Sequence, residues 1–448
     1  MTRQNSVFAY PFATLQQLAQ DVLDHARRSG ASACEVDVSE GTGQSVTVRC
    51  GEVETIEYNR DKGVGITVYA GRKKGYASTS DFSPQALRDT VAAAIDIARF
   101  TAEDECAGLP EAELLAGTVP DLDLFHPWRI SVEEAIDLAQ RCEQAAFDQD
   151  ARIANSEGAS VSSQEAQFVS ANSLGFMGGY PTSRHYLSCS MIAGENEGMQ
   201  RDDWYSTRRA AEDLEAPEAV GAAAARRAVA RLGSRRIRTG DMPVLFEASV
   251  AATLLGNFVH AASGGALYRK ASFLTGALGT PVFPDHVRIV ERPHLPRGLA
   301  SSAFDNECVT TREREVVAGG ILQGYFLNVY TARKLGLQTT GNAGGSHNLI
   351  IEPGGDDFAA LVRRMGRGLV VSELLGQGVN YVTGDYSRGA AGFWVEDGEI
   401  VHPVEEITIA GNLRDMLRGI VAVGNDVLIR GSKQSGSLLL DRMTVGGD

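Results

Sequence analysis

Metal-assisted cleavage of a peptide bond leaves a recognisable mark on a chain. Two neutral imidazoles must converge on the ion, a third ligand must complete the set, and a carboxylate beside them must take a proton from bound water. In sequence this usually shows as a His-Glu dipeptide. The eight histidines here are His25, His126, His185, His260, His286, His294, His347 and His402, and the residues after them are Ala26, Pro127, Tyr186, Ala261, Val287, Leu295, Asn348 and Pro403. No such dipeptide exists. His286 and His294, with prolines near each, have no familiar ligand spacing. In "GNAGGSHNL", Ser346 stands beside His347, but a catalytic serine meets its base through tertiary geometry, so the pair reads as a turn. "GRKKG" and "GENEG" lack a following helix and argue no phosphate cradle. Cys34, Cys50, Cys106, Cys142, Cys189 and Cys308 form no CxxC pair, which predicts reduced, mostly buried thiols.

One stretch raises the question whether a lone histidine is the remains of such a site or only a side chain on a helix. "SVAATLLGNFVHAASGGALYRK", Ser249 to Lys270, reads as a helix entered from a strand and left through two glycines, with His260 near its end. The elements before it come in two similar runs. In the first, Leu15, Leu18, Ala19, Val22, Leu23 and Ala26 form one helical stripe stopped by Gly30, and glycine-punctuated alternating strands follow. Ser83 and Pro84 then open a second helix carrying Leu87, Val91, Ala94, Ile95 and Ala98 on one face. In the second run, Ser131 and Glu134 form a capping box before the stripe Ala135, Leu138, Ala139 and Cys142, and paired strands and "AVGAAAARRAVARL" follow. Residues 12 to 100 and 131 to 232 therefore read as two copies of one unit, joined by an acidic, proline-bearing connector.

After "SRRIRTGDMP" long glycine-rich strand signals alternate with two strong helices, the second capped near Asp356. The expected fold is α+β: an N-terminal unit at 1–110, a central repeat of it at 125–235, and a strand-rich C-terminal domain at 240–448. With 42 Lys+Arg against 57 Asp+Glu and a net charge of -15, the surface repels phosphate backbones, so no nucleic-acid partner is expected. The N-terminus lacks the pattern of a signal peptide and no run of about 18 apolar residues occurs, so a cytoplasmic protein without membrane contact is expected.

At "MPVLFEASVAATLLGNFVHAASGGALYRKASFL", at "GVNYVTGDYSRGAAGFWVEDGEIVHPVEEITIAGNLRDML" and at the closing "MTVGG", the chain resembles the PmbA/TldD family, also called modulators of DNA gyrase, and within it the PmbA (TldE) branch. The resemblance covers essentially the whole chain. It implies two similar subunits, TldD and TldE, forming a metalloprotease complex that cleaves unfolded or small peptides in proteolysis, peptide maturation and antitoxin turnover. In TldD a helix after a strand carries His-Glu-x-x-x-His. Laid on this chain by its "YRK" end, those positions fall on Gly256, Asn257 and Ala261, and His260 lies one residue away, rotated by about 100°. The TldD branch also uses a cysteine near its C-terminus, whereas none here follows Cys308.

The resemblance thus implies a chain with no catalytic residue, metal ligand or cofactor of its own, with zinc in a TldD-type partner and a homodimer when isolated. Asn342, Gly344, His347 and Tyr386 are the positions where backbone could meet an extended peptide. Two other readings stand beside it: a non-proteolytic modulator that binds a protein target, and a homo-oligomeric peptidase with an unorthodox metal site.

Overall fold

The computed structural model describes residues 7–448; residues 1–6, the beginning of the segment read as lacking a signal peptide, lie outside the described residues. The first run folds as α1 (Phe12–Arg28), β1 (Ala33–Arg49), β2 (Glu52–Ala70), β3 (Lys73–Thr79) and α2 (Pro84–Phe100). Leu15, Ala19, Val22, Leu23 and Ala26 of α1 are buried, as 3.6-residue spacing requires of a helix laid on a sheet. Gly30, at φ +91°, turns the chain out of the helix in a conformation that favours glycine. The second run gives α3 (Val132–Gln149), β4 (Ile153–Asn172), β5 (Met177–Gly178), β6 (Pro181–Ala193), β7 (Gln200–Arg208) and α4 (Pro217–Ala230). Ser131 Oγ accepts the Glu134 amide at 3.1 Å while Glu134 Oε2 accepts the Ser131 amide at 2.8 Å, closing the capping box.

Both runs share one seven-stranded sheet of order β3-β2-β1-β4-β6-β7, with β5 attached to β4. The order is symmetric about the antiparallel β1–β4 ladder, which pairs Glu35 with Asn172 and continues to Val48 with Ala159. Each helix pair covers its own half. Gly221 of α4 sits so close to α3 that a Cβ there would lie 1.8 Å from the Cys142 carbonyl oxygen. The connector is no free linker: Ala116, Leu122 and Leu124 pack with Phe176 and Phe304 in a small core between sheet and C-terminal body.

That body is strand-rich, and the fold class is α+β. It contains β8 (Gly240–Phe246), α5 (Ala248–Ala261), α6 (Gly264–Tyr268), β9 (Ile289–Glu291), β10 (Arg314–Ala318), β11 (Ile321–Leu322), α7 (Val329–Leu335) and β12 (Leu349–Ile351). It continues with α8 (Phe358–Met365), β13 (Gly368–Leu375), β14 (Asp385–Glu396), β15 (Glu399–Asn412), α9 (Leu413–Arg418), β16 (Ile420–Val423), β17 (Lys433–Gln434) and β18 (Leu438–Gly446). One sheet runs β11-β10-β9-β12-β17. The other runs β15-β14-β13-β8-β18-β16, and a further β15–β18 pairing closes five of its strands into a ring. The main core lies between these sheets and takes in α5.

The structure refines the sequence pattern in several places. The helix from Ser249 stops at Ala261, and the two glycines, rather than ending it, open α6 under a Ser263 cap. A Cβ at Gly264 would lie 2.2 Å from Thr331 Oγ1, so glycine is needed there for close approach to α7. The acidic cap of α8 expected near Asp356 is Asp357, its carboxylate accepting the Ala360 amide at 2.7 Å. Finally, α6, α7 and α9 are too short for an apolar stripe to announce them. Among the described residues no helix is long and apolar enough to cross a membrane.

Candidate functional site

Helix α5 is held at its entry. Glu247, just before it, meets Arg227 at 2.6 Å, Arg227 meets Asp202 at 3.0 Å, and Ser437 Oγ accepts the Ala248 amide at 3.0 Å. Its inner face is apolar: Leu254, Leu255, Phe258 and Ala261 are buried, and the Phe258 ring meets Phe283 and Phe326 edge-on at 5.2 and 6.2 Å.

The structure separates the three positions of interest. Ala261 is fully buried in the core. At Gly256 a Cβ would rest 3.9 Å from both Cδ and Cε of Lys433, so the lysine stem from β17 crosses the helix there. Asn257 is only 9% exposed; its Oδ1 accepts the Tyr381 hydroxyl at 2.9 Å, while its Nδ2 has no partner. His260, exposed, lays its ring against Tyr381 with centroids 3.9 Å apart and 31° between planes. Burial lowers the Lys433 pKa from the usual lysine range and raises that of Tyr381.

This donor set does not fit zinc, which takes lone pairs from neutral imidazole, thiolate or carboxylate. Glycine and alanine supply none. The nearest cationic stem, Lys433, would bring a like charge. Among the described residues no group of three or more His, Cys, Asp or Glu side chains converges as a metal site.

The candidate peptide contacts do not share one surface. Asn342 is turned inward, its Nδ2 donating to Glu291 Oε1 at 2.8 Å and its Oδ1 accepting from Arg314 at 3.1 Å. Glu291, 1% exposed, also accepts Arg314 Nε at 2.7 Å and the His347 amide at 2.7 Å. Glu291 thus fastens the loop to β9 through Asn342 and the His347 amide, with part-buried Arg314 as its counter-ion. The His347 ring reaches the Gly341 carbonyl at 3.0 Å, and Gly344, at φ +101°, packs on Asn306. Tyr386 is 1% exposed in the core around α5, where burial pushes its hydroxyl up to about 12. Its side chain therefore has no access to a docked peptide.

Sequence reasoning missed a second polar cluster where β1 meets the C-terminal body. Burial pushes Glu35 and Glu307 up to about 7, with Asp305 raising both and Lys74 opposing. Tyr69 donates weakly to Glu35 at 3.4 Å and the Val329 amide donates to Glu307 at 2.7 Å. Glu35 lies more than 250 residues from Asp305 and Glu307 in the chain, and no local pattern links them.

Two helix-flanked runs sharing one antiparallel sheet on a strand-rich body, with a strand-entered core helix, form the architecture of a metallopeptidase family. The chain belongs to the PmbA/TldD family: its models for the PmbA/TldA metallopeptidase domain 1, central domain and C-terminal domain match residues 34–98, 125–232 and 239–447. The chain is 53% identical to metalloprotease PmbA of Escherichia coli O157:H7, over 97% of this chain and 96% of that one. It is 24% identical to a metalloprotease TldD homolog of Haemophilus influenzae, over 90% of each. A crystal structure from Bacteroides thetaiotaomicron, of a candidate modulator of DNA gyrase, superposes with TM-score 0.91 and 27% identity over 97% of this chain and 99% of that one. TldE from Thermococcus kodakarensis has the same fold, with TM-score 0.83 and 18% identity over 96% and 100% of the two chains.

Proposed function

We propose that this chain is the non-catalytic, PmbA/TldE-type subunit of a two-chain metalloprotease whose TldD-type partner holds zinc and cleaves unfolded or small peptides. One observation carries the reading: α5 keeps its entry from β8 and its packing in the core, while Gly256, Asn257 and Ala261 offer no metal ligand. A fold kept without its reactive groups is most simply explained by a surface it still supplies. In this reading the chain completes the partner's chamber and helps hold the peptide as an extended strand, through backbone hydrogen bonds that ignore side-chain identity. Related subunits can reuse the contacts of a symmetric homodimer, so the isolated chain self-associates. The complex works in the cytoplasm.

The test is to co-purify the chain with a TldD-type partner and measure cleavage of an unfolded peptide by each chain and by the mixture. The mixture should cleave, the present chain alone should not, and elemental analysis should find less than stoichiometric zinc in it. A partner that cleaves equally well alone and forms no complex at micromolar concentration would refute the subunit reading in favour of a non-proteolytic modulator. Tightly bound zinc with cleavage by this chain alone would instead establish the homo-oligomeric peptidase.

A further inference from the structure

We propose that the outer face of α5, with Lys433 and Tyr381, is a binding site for a carboxylate carried on a peptide. The inference concerns the isolated chain and needs no metal-bearing partner.

The argument rests on which donors are left over. Tyr381 gives its hydroxyl proton to Asn257 Oδ1 at 2.9 Å, which fixes the amide and leaves Nδ2, buried with its residue at 9% exposure, as an unused donor. A buried N–H without an acceptor costs free energy that a ligand oxygen recovers. One residue back, Gly256 has no side chain, and the stem of half-buried Lys433 passes over the gap. The Lys433 ammonium has three donors, and its recorded contact is the Ser432 hydroxyl at 3.3 Å. No carboxylate of the described residues forms an ion pair with it, whereas Arg227 and Arg314, also part-buried, are each paired with a carboxylate. An unpaired ammonium that burial makes costly to keep charged regains stability from an incoming anion.

The neighbours favour a carboxylate on a peptide over a free ion. A carboxylate offers one oxygen for the charge-assisted bond from Lys433 and a second for the Asn257 amide nitrogen, which has almost no exposed surface in the free chain and is reached only once its cover is displaced. The His260 and Tyr381 rings, tilted 31° to one another, form a partly exposed aromatic wall beside it, suited to peptide groups or an apolar side chain. The carboxylate is either the C-terminus of the peptide or an Asp or Glu side chain.

The experiment uses the full chain and three N-terminally labelled, unstructured Gly/Ser peptides: one with a free C-terminus, one amidated, and one amidated with an internal Glu. Fluorescence anisotropy should show a carboxylate-bearing peptide binding about tenfold more tightly than the uncharged amide, the scale of one charge-assisted hydrogen bond. Whether the free C-terminus or the internal Glu gives that gain identifies the source. Lys433→Met, which keeps the stem and removes the charge, should abolish the gain, and Lys433→Arg should retain it. Asn257→Asp, which plants a carboxylate in the gap, should also weaken binding of the carboxylate-bearing peptide. Equal binding of all three peptides, absence of binding by all three, or a gain that survives in folded Lys433→Met protein would overturn the proposal.

Discussion

Replacing Glu35 with glutamine tests the electrostatics of the junction between β1 and the C-terminal body. Glu35 is half-buried, near Asp305 and Glu307, and its carboxyl titrates near 7 in place of its ordinary 4.5. The folded protein therefore holds a proton that the unfolded chain has released between those two values, so stability falls as pH rises through that window and levels off above about 7. A fully realised shift of this size is worth up to about 3 kcal/mol. Contact with water, and the neighbouring charge of Lys74, should reduce this to about 1–2 kcal/mol. Glutamine keeps an acceptor for the Tyr69 hydroxyl but carries no charge at any pH. The variant should match the wild type near pH 4.5 and exceed its stability by about 1–2 kcal/mol at pH 8. Thermal unfolding followed by circular dichroism from pH 5 to 8.5 measures the difference between the two profiles. Parallel profiles, or a variant less stable than wild type at pH 8, would show that Glu35 is not held protonated by its surroundings.

Two further substitutions probe packing. Gly221→Ala forces α4 away from α3, because the new Cβ would lie 1.8 Å from the Cys142 oxygen; a loss of about 2–3 kcal/mol is expected in denaturant titrations, against a small gain if the helix could simply accept alanine. Glu291→Gln leaves Arg314 without its buried counter-ion and should cost about 3 kcal/mol, with loosening of the 341–348 loop visible as faster amide exchange at His347.

Local features of the N-terminal half were legible because their causes are local. The stripe of α1, the stop at Gly30 and the Ser131–Glu134 box each depend on neighbours within a few turns. The resemblance placed Gly256, Asn257 and Ala261 on one helix, yet it said nothing of what fills the space beside them. Lys433 and Tyr381 arrive from strands and loops more than a hundred residues later, in stretches whose only local signals are glycine and polarity. Glycines near Asn342 and Tyr386 mark where backbone can approach a peptide and say nothing of whether the side chains are covered. Their burial comes from Glu291 and the α5 core, which sequence proximity does not reveal.

The β1–β4 ladder has a consequence for how the chain is made. Its fourteen residue pairs join positions more than a hundred residues apart, from Val48 with Ala159 to Glu35 with Asn172. At ribosomal rates of about 5–20 residues per second, β1 waits roughly 10 s after synthesis before β4 exists to cover it. During that time the nascent N-terminal unit presents an open strand edge with Val36, Val38, Val46 and Val48 along it, a template for pairing with the wrong chain. Mispairing between neighbouring nascent chains, rather than loss of the finished fold, is thus the failure to expect when synthesis is fast or crowded, and it should ease when a chaperone occupies that edge until residue 172 has emerged.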